Sequence, residues 1–210
     1  MAKRDYQNDY VSVTGVLGVL RKPALEWWFK INTAKFCDEK SAKGKEIGTQ
    51  IHNVIQSYIE TGKAKIESEY AEEVTNALKS FMLFRKENSE IVMKKAETAL
   101  TSEQYKFNGT IDCEGEGLII DWKTGEKKDK EKPTIYDEYL AQVSAYVYLW
   151  NEVNKTNIEK AIIVAVAKDG IAYNLYSMDK AQIDLCFNEI FLPALKIFYA
   201  QKKLTQLRKG

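Results

Sequence analysis

The sequence predicts an α/β fold: a central mixed β-sheet flanked by helices, with a helical segment at its N-terminal side. Three observations carry this. The apolar periodicity changes along the chain in the order helices, three strands, a helix, two strands and a last helix. The tripeptide "KDG" at 168–170, between two apolar runs, is a hairpin signal. The chain has 210 residues, 45% hydrophobic and 29% charged, enough for one full core and too few for two ordinary ones. The expectation is one domain over 1–210, helical over about 1–88 and sheet-containing over about 89–210.

The elements follow in order. Helical periodicity covers 23–37, where Pro23 suits a first helical position, then 46–61 and 67–87. Strand patterns cover 91–101, 104–114 and 117–123; a turn near Ser102-Glu103 joins the first two and "CEGEG" joins the next two. The charged stretch "KTGEKKDKEKP" reads as a solvated loop. A helix over 135–153, strands over 160–167 and 171–177, and a helix over 179–205 complete the chain.

Composition narrows the function. No apolar run approaches a membrane span, and the N-terminus has no apolar signal segment. Three widely separated cysteines (Cys37, Cys113, Cys186) suit a reducing compartment, so a cytoplasmic location is expected, in the host if the source is viral. A net charge of +1 leaves nucleic acid open, but any phosphate-binding surface has to be a local patch.

The chemistry concentrates in "GTIDCEGEGLIIDWKTG" at 109–125. Asp112, Asp121 and Lys123 sit inside apolar strand runs, where an uncompensated charge is expensive. Strand alternation points Asp121 and Lys123 one way and Ile120 and Trp122 the other. A reversal at "CEGEG" brings Asp112 close to Asp121, and the preceding hairpin sets Glu97 opposite about 108–110, within reach of the same face. Carboxylates so close repel unless a cation bridges them, and oxygen ligands of this kind suit Mg²⁺ or Mn²⁺. A D-x-K tripeptide alone is commonplace; the strand context and Asp112 are what give this one weight.

Two further residues stand out. His52, the single histidine, falls at the edge of the apolar stripe Ile47, Ile51, Val54, Ile55, Tyr58 and Ile59, as a packed residue or as a ligand. Gln142 shares a helical face with Tyr139, Ala145 and Tyr146, as a satisfied core glutamine or as part of a site.

In combination, Gly48 to His52 (G-x-x-x-H), Gly109 to Asp112 (G-x-x-D), Asp121 to Thr124 (D-x-K-T) and Gln142 to Tyr146 (Q-x-x-x-Y) resemble the PD-(D/E)XK nuclease superfamily, in particular its RecB-like exonuclease group. The opening "SVTGVLGVLRKPALEWW" is similar to phage and bacterial members. The resemblance spans about 11–150 and implies a restriction-endonuclease-like fold and a divalent-metal-dependent DNA nuclease of exonuclease type. It implies metal ligation by Asp112, Asp121, the Trp122 carbonyl and His52, with Glu97 as a further candidate. Lys123 would activate the attacking water, while Gln142 and Tyr146 would position the catalytic strand or the DNA. The setting implied is recombination, repair or phage DNA processing, with DNA as partner and room for a homo-oligomer or a recombination-protein partner. Some relatives hold an iron–sulphur cluster on four cysteines; three cysteines argue against one here. Without a G-x-x-x-x-G-K-[ST] loop, no nucleotide cofactor is expected. Two alternatives stay open: a structure- or sequence-specific endonuclease of the same fold, and an inactive nucleic-acid-binding or assembly module.

Overall fold

The computed structural model of the protein describes residues 10–127 and 131–208. A short strand β1 (Val11–Ser12) runs into helix α1 (Val13–Leu17), where Ser12 Oγ accepts from the Gly15 N–H. Helices α2 (Pro23–Ile31), α3 (Ala34–Thr61) and α4 (Ala71–Glu87) follow. Strands β2 (Met93–Ser102), β3 (Phe107–Gly115) and β4 (Leu118–Gly125) precede helix α5 (Asp137–Asn154). Then come β5 (Ala161–Ala167), β6 (Tyr173–Met178), α6 (Lys180–Leu185) and α7 (Leu192–Leu207).

The structure corrects several boundaries. The helix expected over 23–37 breaks at Asn32-Thr33, because Thr33 Oγ1 accepts from the Phe36 N–H and starts a new helix. That helix absorbs the one expected over 46–61 and ends at Gly62, whose φ of 71° suits glycine. Helix α4 begins at Ala71, not at 67. The helix expected over 179–205 is interrupted by a π-turn at Cys186–Phe191, just before Pro193, which has no N–H to donate back along the helix. Of the charged stretch 123–133, residues 128–130 lie outside the described residues.

The sheet runs β1-β3-β4-β5-β6, with β2 also paired to β3. Strand β2 follows β3 antiparallel from Ser102↔Phe107 to Met93↔Gly115. The other edge of β3 is shared: β1 pairs in parallel at Phe107 and Asn108, and β4 pairs antiparallel at Cys113 to Gly115. Beyond Cys113↔Ile120 the two strands part, and β4 continues in parallel register with β5 through Gly125↔Ala167. The parallel pair requires a crossover, which α5 supplies. Strands β5 and β6 form the expected hairpin around 168–170.

Helices cover both faces. Ile47, Ile51 and Ile55 of α3 and Ala77, Phe81 and Phe84 of α4 pack on Ile120, Trp122, Val164 and Val166. On the opposite face α1, α5 and the C-terminal helices pack on Phe107, Ile111, Ile119 and Ile163. Trp122 is held edge-on by Phe81 at 5.3 Å and Phe84 at 5.9 Å. This anchors β4 by its α4-facing side and commits its alternate residues, Asp121 and Lys123, to the α5 side.

Candidate active site

The site lies where β3 and β4 part. Asp112 and Asp121 would be the next pair in that ladder, but no ladder pair forms there. Instead Asp112 Oδ2 accepts from the Trp122 N–H at 2.9 Å, so a side chain takes over a backbone role and holds the fork open.

Two linked groups of side chains meet there. In the first, His52 Nδ1 lies 3.5 Å from Asp112 Oδ1 and 3.9 Å from Glu97 Oε1. One ligand atom from each of His52, Glu97 and Asp112 falls within 4.8 Å of the others, a spacing that can hold a metal ion. In the second, Asp121 is fully buried and Lys123 Nζ lies 2.6 Å from its Oδ2. Gln142 Nε2 donates to Tyr146 Oη at 2.9 Å and approaches Asp121 Oδ1 at 3.4 Å. The Lys123 ammonium sits 5.1 Å from the Tyr139 ring centroid, a cation–π contact on the α5 side.

Glu97 is not opposite 108–110. The β2–β3 register pairs Ala96 with Cys113 and Thr98 with Ile111, which sets Glu97 across from Asp112. The shift brings Glu97 nearer the acid, and its φ of 48° is left-handed. Such a backbone in a non-glycine residue costs on the order of 1–2 kcal/mol.

Of the glycines in the two glycine-led motifs, Gly109 makes room for a neighbour and Gly48 does not need to. A Cβ on Gly109 would lie 2.8 Å from Tyr146 Cε1 and 3.2 Å from Val13 Cγ2, so the bare backbone admits the Tyr146 ring. A Cβ on Gly48 would stand 3.5 Å from Thr124 Oγ1, an ordinary contact, so α3 passes directly over the end of β4.

The electrostatics separate the two aspartates. Burial raises both, but the His52 charge and hydrogen bond, with Lys123 and the Trp122 N–H, hold Asp112 below its ordinary value. For Asp121 burial wins: with the Asp112 charge adding to it and Lys123 opposing, its carboxyl is pushed up to about 6. Desolvation disfavours the His52 imidazolium, yet the charge of Asp112 and hydrogen bonds to Asp112 and Glu97 outweigh it and raise the pKa to about 10. Without metal, a proton on His52 does the compensating. The donor set suits a hard divalent cation: carboxylate oxygens with one imidazole, in a site whose acids repel one another.

The family model of the PD-(D/E)XK nuclease superfamily matches residues 24–185. The chain belongs to this superfamily. It is a nuclease by family, and its mixed six-stranded sheet flanked by helices is of the restriction-endonuclease-like kind. Among solved structures, a provisionally named exonuclease from Eubacterium rectale is similar in fold, with a TM-score of 0.50 at 11% identity over 71% of this chain and 68% of that one. A phage-related exonuclease from Haemophilus somnus 129PT is 15% identical over 94% of this chain and 96% of its own, with a TM-score of 0.45. An alkaline exonuclease from Laribacter hongkongensis is 13% identical over 94% of each chain, with a TM-score of 0.42. No curated protein matches the sequence. Among the described residues no helix is long and apolar enough to cross a membrane.

Sequence reasoning did not find Tyr139 as the ring beside Lys123, although it stands three residues before Gln142 on the same helical face. Nor did it find the dependence of Tyr146 on Gly109, for which the only sequence signal is the co-occurrence of the two motifs.

Proposed function

We propose that the protein is a divalent-metal-dependent deoxyribonuclease acting as an exonuclease, using Mg²⁺ or Mn²⁺, in DNA recombination, repair or phage DNA processing. The observation that carries this reading is the convergence of His52, Glu97 and Asp112 beside the Asp121–Lys123 pair at the β3–β4 fork. In this reading His52, Asp112, Asp121 and the Trp122 carbonyl hold the cation, with Glu97 as a further ligand. A bound divalent ion supplies Lewis acidity at the phosphate and acidifies water.

The chain's own groups do the remainder. The Lys123 ammonium, fixed by Asp121, directs a water at the phosphorus and donates to charge growing on a non-bridging oxygen. The water oxygen bonds to phosphorus and releases a proton to solvent, the bond from phosphorus to the leaving sugar oxygen breaks, and that oxygen takes up a proton from solvent. Gln142, tied to Tyr146, keeps Asp121 in one orientation. To serve as a ligand His52 would be deprotonated, since only a neutral imidazole nitrogen can hold a cation.

The test is cleavage of end-labelled linear duplex and closed circular DNA with Mg²⁺, with Mn²⁺ and with chelator. The expected result is metal-dependent loss of the linear DNA from its ends, with circles intact. Cleavage of circles would make the enzyme an endonuclease; no cleavage of any DNA with either metal would overturn the reading.

A further inference from the structure

The charge of the chain is unevenly spread. Residues 21–45 carry seven Lys or Arg against three acids (Glu26, Asp38 and Glu39), in a protein whose net charge is +1. The same stretch holds Trp27, Trp28, Phe29 and Phe36 and folds as α2 and the first turns of α3. A surface helix ordinarily turns its apolar residues inward. Here Trp27 is 62% exposed, Ile31 56%, Phe29 48% and Phe36 40%. Exposed apolar residues grouped in this way mark a binding surface. Aromatic rings interleaved with lysines match the chemistry of an unpaired strand, whose bases stack and whose phosphates take ammonium groups.

The location agrees. Lys22, just before α2, reaches Glu138 at 3.5 Å, next to the Tyr139 that faces Lys123. The other side of α2 helps wall a cleft of about 840 Å³, lined by Leu25, Trp28, Gly44 and Ile47, with Glu126 and Lys168 just beyond β4 and β5. Helical rise puts Gly44 about 12 Å from His52 along α3. Within the cleft Lys43 pairs with Glu73 at 3.3 Å and Lys168 with Glu126 at 3.4 Å. Lys40, Glu72 and Asp169 line it too, which makes three lysines against four acids, so phosphates are drawn to the exposed Lys40 at its wall and to the lysines outside it.

We propose that α2 and the start of α3 form a stacking platform for an unpaired DNA strand leading to the His52–Asp112 site. Trp27 and Phe29, two residues apart, stand on opposite flanks of α2 with Lys30 between them, so each takes a base of its own; Phe36 takes another beside Lys40, and Lys30, Lys35 and Lys40 take phosphates. This rests on the nuclease reading above and adds a substrate class to it: DNA with a single-stranded or frayed end.

The experiment is a fluorescence anisotropy titration in chelator, with labelled oligothymidylate and a blunt hairpin duplex as probes. Trp27→Ala with Phe29→Ala should weaken oligothymidylate binding about 10-fold or more, and duplex binding less, since only unpaired bases are free to stack on the rings. Lys30→Glu with Lys35→Glu, which leaves the rings in place, should weaken oligothymidylate binding and flatten its salt dependence. Unchanged oligothymidylate affinity in both variants, or equal losses on both probes, overturns the platform. So does a double alanine variant that loses self-association in sedimentation while still binding oligothymidylate, since the surface would then belong to a second copy. The nuclease reading is scored separately, by hydrolysis of bis(p-nitrophenyl) phosphate by the wild-type protein with Mn²⁺, which involves no bases. Absence of that hydrolysis counts against the nuclease, and the titration in chelator counts for or against the platform.

Discussion

Asp112 and Asp121 face each other across the β3–β4 fork, yet their surroundings pull them in opposite directions. Sequence alternation treats them as equivalent acids repelling one another, which predicts that either Asn variant leaves the metal-free protein as stable or more so. The ion pairs separate them. Asp121 carries a raised pKa, so its charged form is disfavoured by folding; Asp121→Asn should melt in chelator no lower than wild type at pH 7. Asp112 is held charged by His52 and accepts the Trp122 N–H, so Asp112→Asn should lose about 1–3 kcal/mol. Thermal melts decide this, and equal losses in both variants would make the acids common ion-pair partners. Lys123 has its own test. If its ammonium acts in the transition state, Lys123→Ala lowers single-turnover cleavage on the order of 10²-fold with little change in DNA affinity. Rescue by saturating Mg²⁺ would reduce its role to neutralising Asp121. The identities of these residues were legible because charges inside apolar strand runs are conspicuous. The left-handed Glu97 and the split between the aspartates were not, since both arise from contacts with α3 and β4 that no local pattern encodes.

At the level of elements, G-x-x-D and Q-x-x-x-Y prove to be two halves of one packing unit. Gly109 on β3 admits the Tyr146 ring of α5, and Tyr146 holds Gln142 against Asp121. Gly109→Ala places a methyl 2.8 Å from Tyr146 Cε1, with Val13 and Leu149 close behind, so the ring has little room to yield. A loss of about 1–3 kcal/mol is expected, together with slower cleavage as Gln142 comes loose from Asp121. Combining it with Tyr146→Ala should be clearly non-additive in a double-mutant cycle of melting free energies. Additive losses would show that Gly109 serves only its own strand. Long periodic elements such as α4, α5 and β5 were readable because each buries a continuous face. The β1–α1 entry escaped notice because two strand residues and five helical ones are too short to show a period. The break at Thr33 lay hidden inside an apolar pattern that runs through it, and the π-turn before Pro193 depends on how the last helix packs.

Across the whole molecule, the site makes stability depend on pH and on metal in a linked way. His52 is the single histidine, and its pKa rises from 6.5 to about 10 on folding. A raised folded pKa contributes stability that is fully present below pH 6.5 and is lost as pH rises toward 10. Asp121, raised from 3.8 to about 6, has the same sign at lower pH: its contribution is present below 3.8 and gone above about 6. Asp112, held low, contributes above 3.8 and loses that contribution only at more acid pH. Between pH 6.5 and 8.5 the buried thiols are still protonated, so His52 dominates the slope. One proton over two pH units amounts to about 3 kcal/mol, or roughly 5–10 °C in melting temperature for a chain of this size. In chelator the protein should therefore melt lower at pH 8.5 than at pH 6.5. A divalent ion reverses the trend, because it requires His52 deprotonated and replaces that proton with its own charge. The Mn²⁺-induced rise in melting temperature should accordingly grow from pH 6.5 to 8.5, reaching about 5–10 °C when the ion is at 100 times its dissociation constant. His52→Gln should flatten both curves. A chelated protein whose melting temperature is level over this range would show that His52 carries no bound proton there, and a Mn²⁺ effect indifferent to pH would remove His52 from the ligand set.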